Sequence, residues 1–308
     1  MMKRLCSGTI LSAFFLCSLV VGTYADEAKS HITIAIFPCT DAVMVFKRFR
    51  PLITYLEQET GFDIDIVVPT DPTEFEMGLK NGDVHFAFQN ARTYAELAGL
   101  YDRGALLRAL TRKGAAVQSG LVIVKKGSGI EKIADLRDKV VLFGPKNSTT
   151  RWFGAKLLFE ENGIDIDEDL KGYSHGLSCE GMAFSVQYGG VDAAVVCEHF
   201  FEEYSEKQKQ LGVQPELFLV IDRTKLFPTW VFAPRRGIGS DIINKVNQAL
   251  LRLDRKIPVH DKILRDAELG GFEKAKDEDY NDTRRQLKGG RPLFHTWSQN
   301  LLQYCWVY

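Results

Sequence analysis

Several familiar signatures are missing from this chain of 308 residues. Six cysteines spread along that length are too few for a disulfide-stapled mini-domain. No glycine-rich nucleotide loop occurs, and no His-Glu-x-x-His, Gly-x-Ser-x-Gly or paired-carboxylate pattern rises above background, which leaves hydrolytic and nucleotide chemistry without a carrier. Charge of either sign is not in excess: 39 basic against 40 acidic residues give a net charge of -1. With no Lys/Arg stripe interleaved with aromatics, the sequence argues against a nucleic-acid partner. No internal repeat or low-complexity tract interrupts it, and no segment beyond the N-terminus approaches the ~20 uncharged apolar residues that span a bilayer.

What is present begins with an address. Lys3 and Arg4, an apolar stretch from Ile10 to Val21 and the small-residue ending Thr23-Tyr24-Ala25 read as a secretory signal over residues 1–25, cleaved after Ala25. Leu16 before Cys17 disfavours a lipidation site. Without Lys3 and Arg4, 37 basic residues face 40 acidic ones, a charge near -3. The mature chain is then expected to be soluble. Its remaining cysteines are Cys39, Cys179, Cys197 and Cys305, an even number in an oxidising compartment, with three possible full pairings.

From His31 onward short β-rich runs alternate with amphipathic stretches, the pattern of an α/β fold with largely parallel sheet. Expected strands are 32–37, 63–68, 84–88, 119–124, 139–143, 191–196, 217–221 and 230–233. Expected helices include one through Phe49, Leu52, Ile53 and Leu56 stopped at Thr60-Gly61, a short one over 74–80 ending at Asn81-Gly82, and others over 94–100, 151–162, 182–188 and 242–253. Two β-rich runs within residues 105–125 precede a restart of the pattern, which suggests a crossing between two lobes: 26–117 with 223–276, and 118–222. Residues 277–308 form a tail expected to pack on the first lobe.

The most informative stretch is Val140-Val141-Leu142-Phe143-Gly144-Pro145-Lys146-Asn147-Ser148-Thr149-Thr150-Arg151, which reads as strand, turn and helix N-terminus. A helix start offers unpaired N–H groups and partial positive charge, and clustered hydroxyls complete a cradle for an anion. Ordinary capping, worth about 1 kcal/mol, explains the same hydroxyls without a ligand.

The chain resembles the PhnD-type family of periplasmic phosphate, phosphite and phosphonate binding proteins. The resemblance is carried by Arg50-Pro51-Leu52-Ile53-Thr54-Tyr55-Leu56-Glu57 with Thr60-Gly61, by Leu79-Lys80-Asn81-Gly82-Asp83-Val84, by Gly129 through Lys139, by Ser148-Thr149-Thr150, and by Gly190-Val191-Asp192-Ala193. It implies a type II periplasmic binding protein fold, two α/β lobes joined by crossing hinge strands with a ligand cleft between them. It also implies a non-enzymatic, monomeric receptor without cofactor that captures a small anionic ligand and delivers it to an ABC permease in the inner membrane, or alternatively reports it to a membrane histidine kinase.

By the same resemblance Ser148, Thr149 and Thr150 donate to phosphoryl oxygens. Arg151 stands where a small residue usually follows, and either adds charge to the site or points to solvent. Loops at the carboxyl ends of strands add Thr40, Asp41, Gln89, Asn90, Tyr94, Cys179, Glu180 and Glu198 as candidate ligand contacts. Cys179 or Glu180 falls where phosphonate binders keep a histidine, and Pro72–Phe75 where they keep an aromatic. Glu180 and Glu198 could receive a ligand amine or make salt bridges. A Cys179–Cys197 disulfide is the simplest account of that pair. A metal site from His175, Cys179, Cys197 and His199 is the sharper alternative, though neither pair has a standard ligand spacing.

Overall fold

The structure is a computed structural model that describes residues 30–38, 42–203 and 209–288. The signal sequence and the tail beyond residue 288 therefore lie outside the described residues. Among the described residues no helix is long and apolar enough to cross a membrane.

The first lobe is built on a six-stranded sheet. In chain order its elements are β1 (His31–Ile36), α1 (Ala42–Thr60), β2 (Asp63–Val67), α2 (Pro72–Asn81), β3 (Phe86–Gln89), α3 (Ala91–Leu97) and β4 (Leu107–Leu110). Two short strands and the whole second lobe follow before the chain returns. In the second lobe lie β6 (Gly120–Lys125), β7 (Val140–Phe143), a π-helical turn (Thr149–Gly154) running into α4 (Ala155–Glu161), β8 (Gly172–His175), α5 (Cys179–Gln187), β9 (Ala193–Cys197), α6 (Glu198–Glu203) and β10 (Phe218–Arg223). The return adds β12 (Val231–Pro234), α7 (Ser240–Leu251), α8 (Pro258–Asp266), β13 (Gly271–Lys274) and α9 (Asn281–Leu287) to the first lobe. Between the lobes β5 (Val117–Gln118) and β11 (Phe227–Pro228) pair antiparallel as a two-residue ribbon.

Alternation along β1 explains the first lobe's two-sided core. Ile32, Ile34 and Ile36 face Leu52, Ile53 and Leu56 of α1 with Val246 and Leu250 of α7, whereas Ala35 joins Phe75 and Leu79 of α2 and Tyr94 of α3 on the opposite face. The second lobe repeats the arrangement. Val122, Val124, Val141 and Phe143 pack on Ala155 and Phe159 of α4, and Leu121, Ile123 and Leu142 on Met182, Ala183 and Val186 of α5. Phe75, within the stretch where the resemblance would place a ligand aromatic, is fully buried and sits edge-on to Phe37 at 5.1 Å.

The sheets are less parallel than expected. They run in the orders β13-β4-β12-β3-β1-β2 and β10-β6-β9-β7-β8, with parallel pairing confined to β1 with β2 and β3, and β7 with β8 and β9. Because the chain leaves the first lobe after β4 and re-enters as β12, that strand slots antiparallel between β3 and β4; β6 likewise runs antiparallel to β9. Hydrophobic alternation marks a strand's faces but not its direction.

The described start of the tail packs on the first lobe. Tyr280 is buried with its ring 4.6 Å from that of Tyr94. Tyr94 donates its hydroxyl to Asp277 at 2.6 Å, Arg103 approaches the same carboxylate at 3.1 Å, and Arg284 also pairs with it. Burial works against that carboxylate's charge, but the bonds from Tyr94 and Arg284 and the charges of Arg284 and Arg103 outweigh it and hold its pKa below the ordinary value. A depressed folded-state pKa contributes stability above the unfolded-state pKa that is lost as pH falls through the folded one. Acid unfolding monitored by circular dichroism should therefore begin at higher pH for wild type than its neutral-pH stability alone would give, and Asp277→Asn should flatten that acid limb while lowering stability at pH 7. An unchanged acid limb in the variant would remove Asp277 from the account.

Candidate functional site

The Gly144–Ser148 turn brings β7 to the mouth of the second lobe. Ser148 caps the following helix, its hydroxyl accepting from Arg151 N at 3.2 Å, so the capping role anticipated for the hydroxyls is present. The first turn is π-helical, closed by Phe153 N donating to Ser148 O at 3.1 Å. Such turns recur at functional sites, where they re-aim side chains. Here the turn carries Thr149, Thr150 and Arg151, all buried, to the wall of a cavity of about 200 Å3 between the lobes.

Arg151 turns inward. Only 6% exposed, it donates from Nη1 to Leu177 O at 3.2 Å and lies 3.7 Å from both Cys179 Sγ and Met182 Sδ. That settles its direction in favour of the cavity over solvent. Gly144 makes the position possible, since a Cβ there would stand 2.3 Å from Arg151 Cβ.

Ser148, Thr149, Thr150, Cys179, Glu180, Cys197 and His199 line the second-lobe wall. Across from them Asn90 and an apolar floor of Ile36, Val45, Phe49, Phe88 and Trp230 belong to the first lobe, joined by Arg48 and Glu268, which pair at 2.9 Å. Sequence reasoning missed Arg48, Phe49, Trp230 and Glu268. Phe49 recurs with Leu52, Ile53 and Leu56 at helical spacing, and nothing in the local pattern separates a residue lining the lobe's mouth from one beneath it.

Thr149 spans the two lobes. Its hydroxyl donates to Asn90 Oδ1 at 2.8 Å and accepts from Arg92 N at 3.1 Å, and it is 3% exposed. Asn90 is also the N-cap of α3, accepting from Thr93 N at 3.0 Å, and it donates from Nδ2 to Asn147 O at 3.0 Å. Asn147 Nδ2 in turn donates to Pro38 O at 2.7 Å, while the Arg92 guanidinium stacks 5.0 Å over Phe153. The lobes are thus bonded directly to each other beside the cavity.

Other candidates fall elsewhere. Gln89 is fully buried and accepts from the Tyr101 hydroxyl at 2.7 Å, because it ends a central strand rather than opening the loop. Tyr94 belongs to the core beneath α9. Glu198 accepts from Ser119 N and Oγ at 2.9 and 2.7 Å and from Arg223 at 3.0 Å, away from the cavity lining. Thr40 and Asp41 lie outside the described residues, as do Cys39 and Cys305. His175 is not part of the lining either. Its Nδ1 contacts Gly144 O at 2.7 Å and its ring meets Trp152, and burial above all lowers its pKa. Among the described residues no group of three or more His, Cys, Asp or Glu side chains is arranged to hold a metal ion. Cys179 and Cys197 are neighbouring thiols with no disulfide between them, unlike the pairing expected from the sequence.

The hydrogen-bond bridge between the lobes has a measurable role. Thr149→Val should remove the acceptor of Arg92 N and the bond to Asn90 Oδ1 in the closed arrangement, at a cost of about 1–3 kcal/mol. Small-angle scattering of the ligand-free variant should show a larger radius of gyration than wild type; identical profiles would mean the bridge does not hold the lobes together.

Similar proteins share this fold. A binding protein component of an ABC phosphonate transporter from Pseudomonas aeruginosa superposes with a TM-score of 0.70 over 84% of this chain and 85% of its own, at 19% identity. PhnD1 from Prochlorococcus marinus, solved with methylphosphonate, gives 0.72 over 84% and 98%, at 14% identity. In sequence the tetrathionate sensor histidine kinase TtrS of Salmonella typhimurium is 23% identical over 231 residues; the match spans 69% of this chain and 38% of that relative's length. The family model described as ABC transporter, phosphonate, periplasmic substrate-binding protein matches residues 34–280, from β1 to the turn that precedes α9. With two α/β lobes, a connecting ribbon and a hydroxyl-lined cavity between them, the chain belongs to the family of periplasmic substrate-binding proteins of ABC phosphonate transporters.

Proposed function

We propose that the protein captures a small oxyanion, of the phosphonate, phosphite or phosphate kind, in the cavity between its lobes and presents the closed form to an ABC permease. The observation that carries this reading is the placement of Ser148, Thr150 and the inward-turned Arg151 on one wall of that cavity. Ser148 and Thr150 supply hydroxyls, Arg151 supplies charge-assisted donors, and Asn90 closes the site from the first lobe. Thr149 serves the lobes rather than the ligand, and Cys179 and Glu180 border the site at the start of α5. Gln89, Tyr94 and Glu198 have no part in this proposal.

The apolar floor supports an organic oxyanion over a bare inorganic one. Phe49, Phe88 and Trp230 offer an alkyl group a dry surface, worth about 0.8 kcal/mol for each methylene buried. Calorimetry against phosphate, phosphite, methylphosphonate and longer alkylphosphonates tests this directly. Affinity should rise along the alkyl series, and the Ser148→Ala/Thr150→Ala variant should lose binding while its ligand-free melting temperature falls only slightly. Equal loss of both would mark the hydroxyls as purely structural.

A second reading has its own support in the likeness to the tetrathionate sensor kinase. In that reading the same cavity receives a sulfur oxyanion, and the closed lobes signal to a membrane histidine kinase. Adding tetrathionate to the calorimetric panel separates the two readings at the level of ligand.

A further inference from the structure

Two thiols share the wall of the cavity, and the proposed oxyanion reading gives them no role. Cys179 opens α5 and Cys197 ends β9, and the helix packs on the strand so that Cys197 N donates to Cys179 Sγ at 3.1 Å and the two side chains touch. Both line the cavity. They differ in access: Cys179 is buried and Cys197 half-buried. The Arg151 guanidinium stands 3.7 Å from Cys179 Sγ, on the same wall as the hydroxyl of Ser148. An anion held by Arg151 and Ser148 therefore has its substituent beside a pair of sulfurs.

We propose that Cys179 and Cys197 form a redox-active dithiol that is oxidised by S-sulfonate oxyanions, R–S–SO3−, held in this cavity. The proposal rests on the cavity being an oxyanion site. Arg151 and the hydroxyls hold the sulfonate, which leaves the sulfane sulfur facing the thiols. The more accessible Cys197 attacks that sulfur as thiolate; the bond between the two sulfurs of the ligand breaks and sulfite leaves with its electron pair. Cys179 then attacks the Cys197 sulfur of the mixed disulfide and R–S− leaves. The protein loses two thiol protons and two electrons, one proton ends on R–S− and one on sulfite, and the sulfane sulfur is reduced to a thiol. Burial, and after it the neighbouring Cys197 thiol, push the Cys179 thiol well above its ordinary pKa, so Cys197 reacts first; once Cys197 is tied up in the mixed disulfide its share of that shift is gone, and the Arg151 guanidinium favours the Cys179 thiolate.

The test uses the full chain, reduced and then freed of reductant, with S-methyl thiosulfate as probe and dimethyl disulfide as a control that lacks the anion. The expected result is a Cys179–Cys197 disulfide in peptide mapping, one sulfite released per protein, and a probe-to-control rate ratio at least about tenfold above the ratio that 2-mercaptoethanol gives with the same two reagents, which removes the difference between their leaving groups. Cys179→Ser should stop at a methylthio adduct on Cys197, and Cys197→Ser should not react. A rate ratio no greater than that of 2-mercaptoethanol, or modification only of Cys39 or Cys305, would overturn the proposal. Excess methylphosphonate separates this inference from its foundation. If it binds by calorimetry but the thiols stay reduced, only the dithiol chemistry fails. If the thiols react at the selective rate and no oxyanion slows them, the cavity is not the anion site.

Discussion

Replacing Arg151 by methionine is expected to weaken oxyanion binding by roughly 10- to 150-fold, the worth of a charge-assisted hydrogen bond of about 1.5–3 kcal/mol. Methionine keeps the apolar stem that packs against the Met182 and Cys179 sulfurs, so the loss isolates the guanidinium. Arg151→Lys should recover only part of the affinity, because an ammonium keeps the charge but not the planar fork. Isothermal calorimetry with methylphosphonate provides the measurement. Full affinity in Arg151→Met would assign the residue a packing role and move the anion elsewhere in the cavity.

Gly270→Ala should be the most destabilising single-methyl change considered for this fold. A Cβ at Gly270 would lie 1.8 Å from the carbonyl oxygen of Thr111 and 2.7 Å from its carbon, both backbone atoms that cannot rotate away. The same residue donates its N–H to Leu110 O at 2.7 Å, at the start of the β13–β4 pairing. Relief requires the edge strand to pull off the sheet, at a cost of about 3 kcal/mol, the upper end for overpacking. That corresponds to a fall in melting temperature of order 10 °C for a chain of this size. Gly172→Ala, where a Cβ would meet nothing within 4 Å, is the matched control. Equal melting temperatures for the two variants would show that the edge strand yields easily.

The fold was largely legible because most elements carry their own period. β1 and β2 alternate, β3 is a short apolar run buried throughout, α1 holds its apolar stripe to Thr60, and the helix after Ser148 stops before Gly163, where a left-handed glycine follows. β8 was invisible because Gly172-Tyr173-Ser174-His175 has no apolar run; as an edge strand beside β7 it needs none. The ribbon of β5 and β11, two residues each, is too short to have a period. The site was legible in its hydroxyl turn and less so in what opposes it. Asn90 could have been recognised as a cap from Thr93 three residues on, but that spacing does not reveal its bond across to Thr149. Tyr94 and Glu198 look like loop residues in sequence, and only the tail helix and Arg223, both distant along the chain, account for where they sit.

The bonds joining Asn90, Thr149, Asn147 and Pro38 bear on kinetics as well as on shape. A solute too bulky to enter with those contacts made must wait for a spontaneous parting of the jaws, and its departure must wait for the same event. Capture should then saturate at high solute concentration, at a ceiling set by the opening rate rather than by diffusion. Loosening the fastening would speed both exits and entries, trading retention time for throughput while leaving the contacts to the cargo untouched.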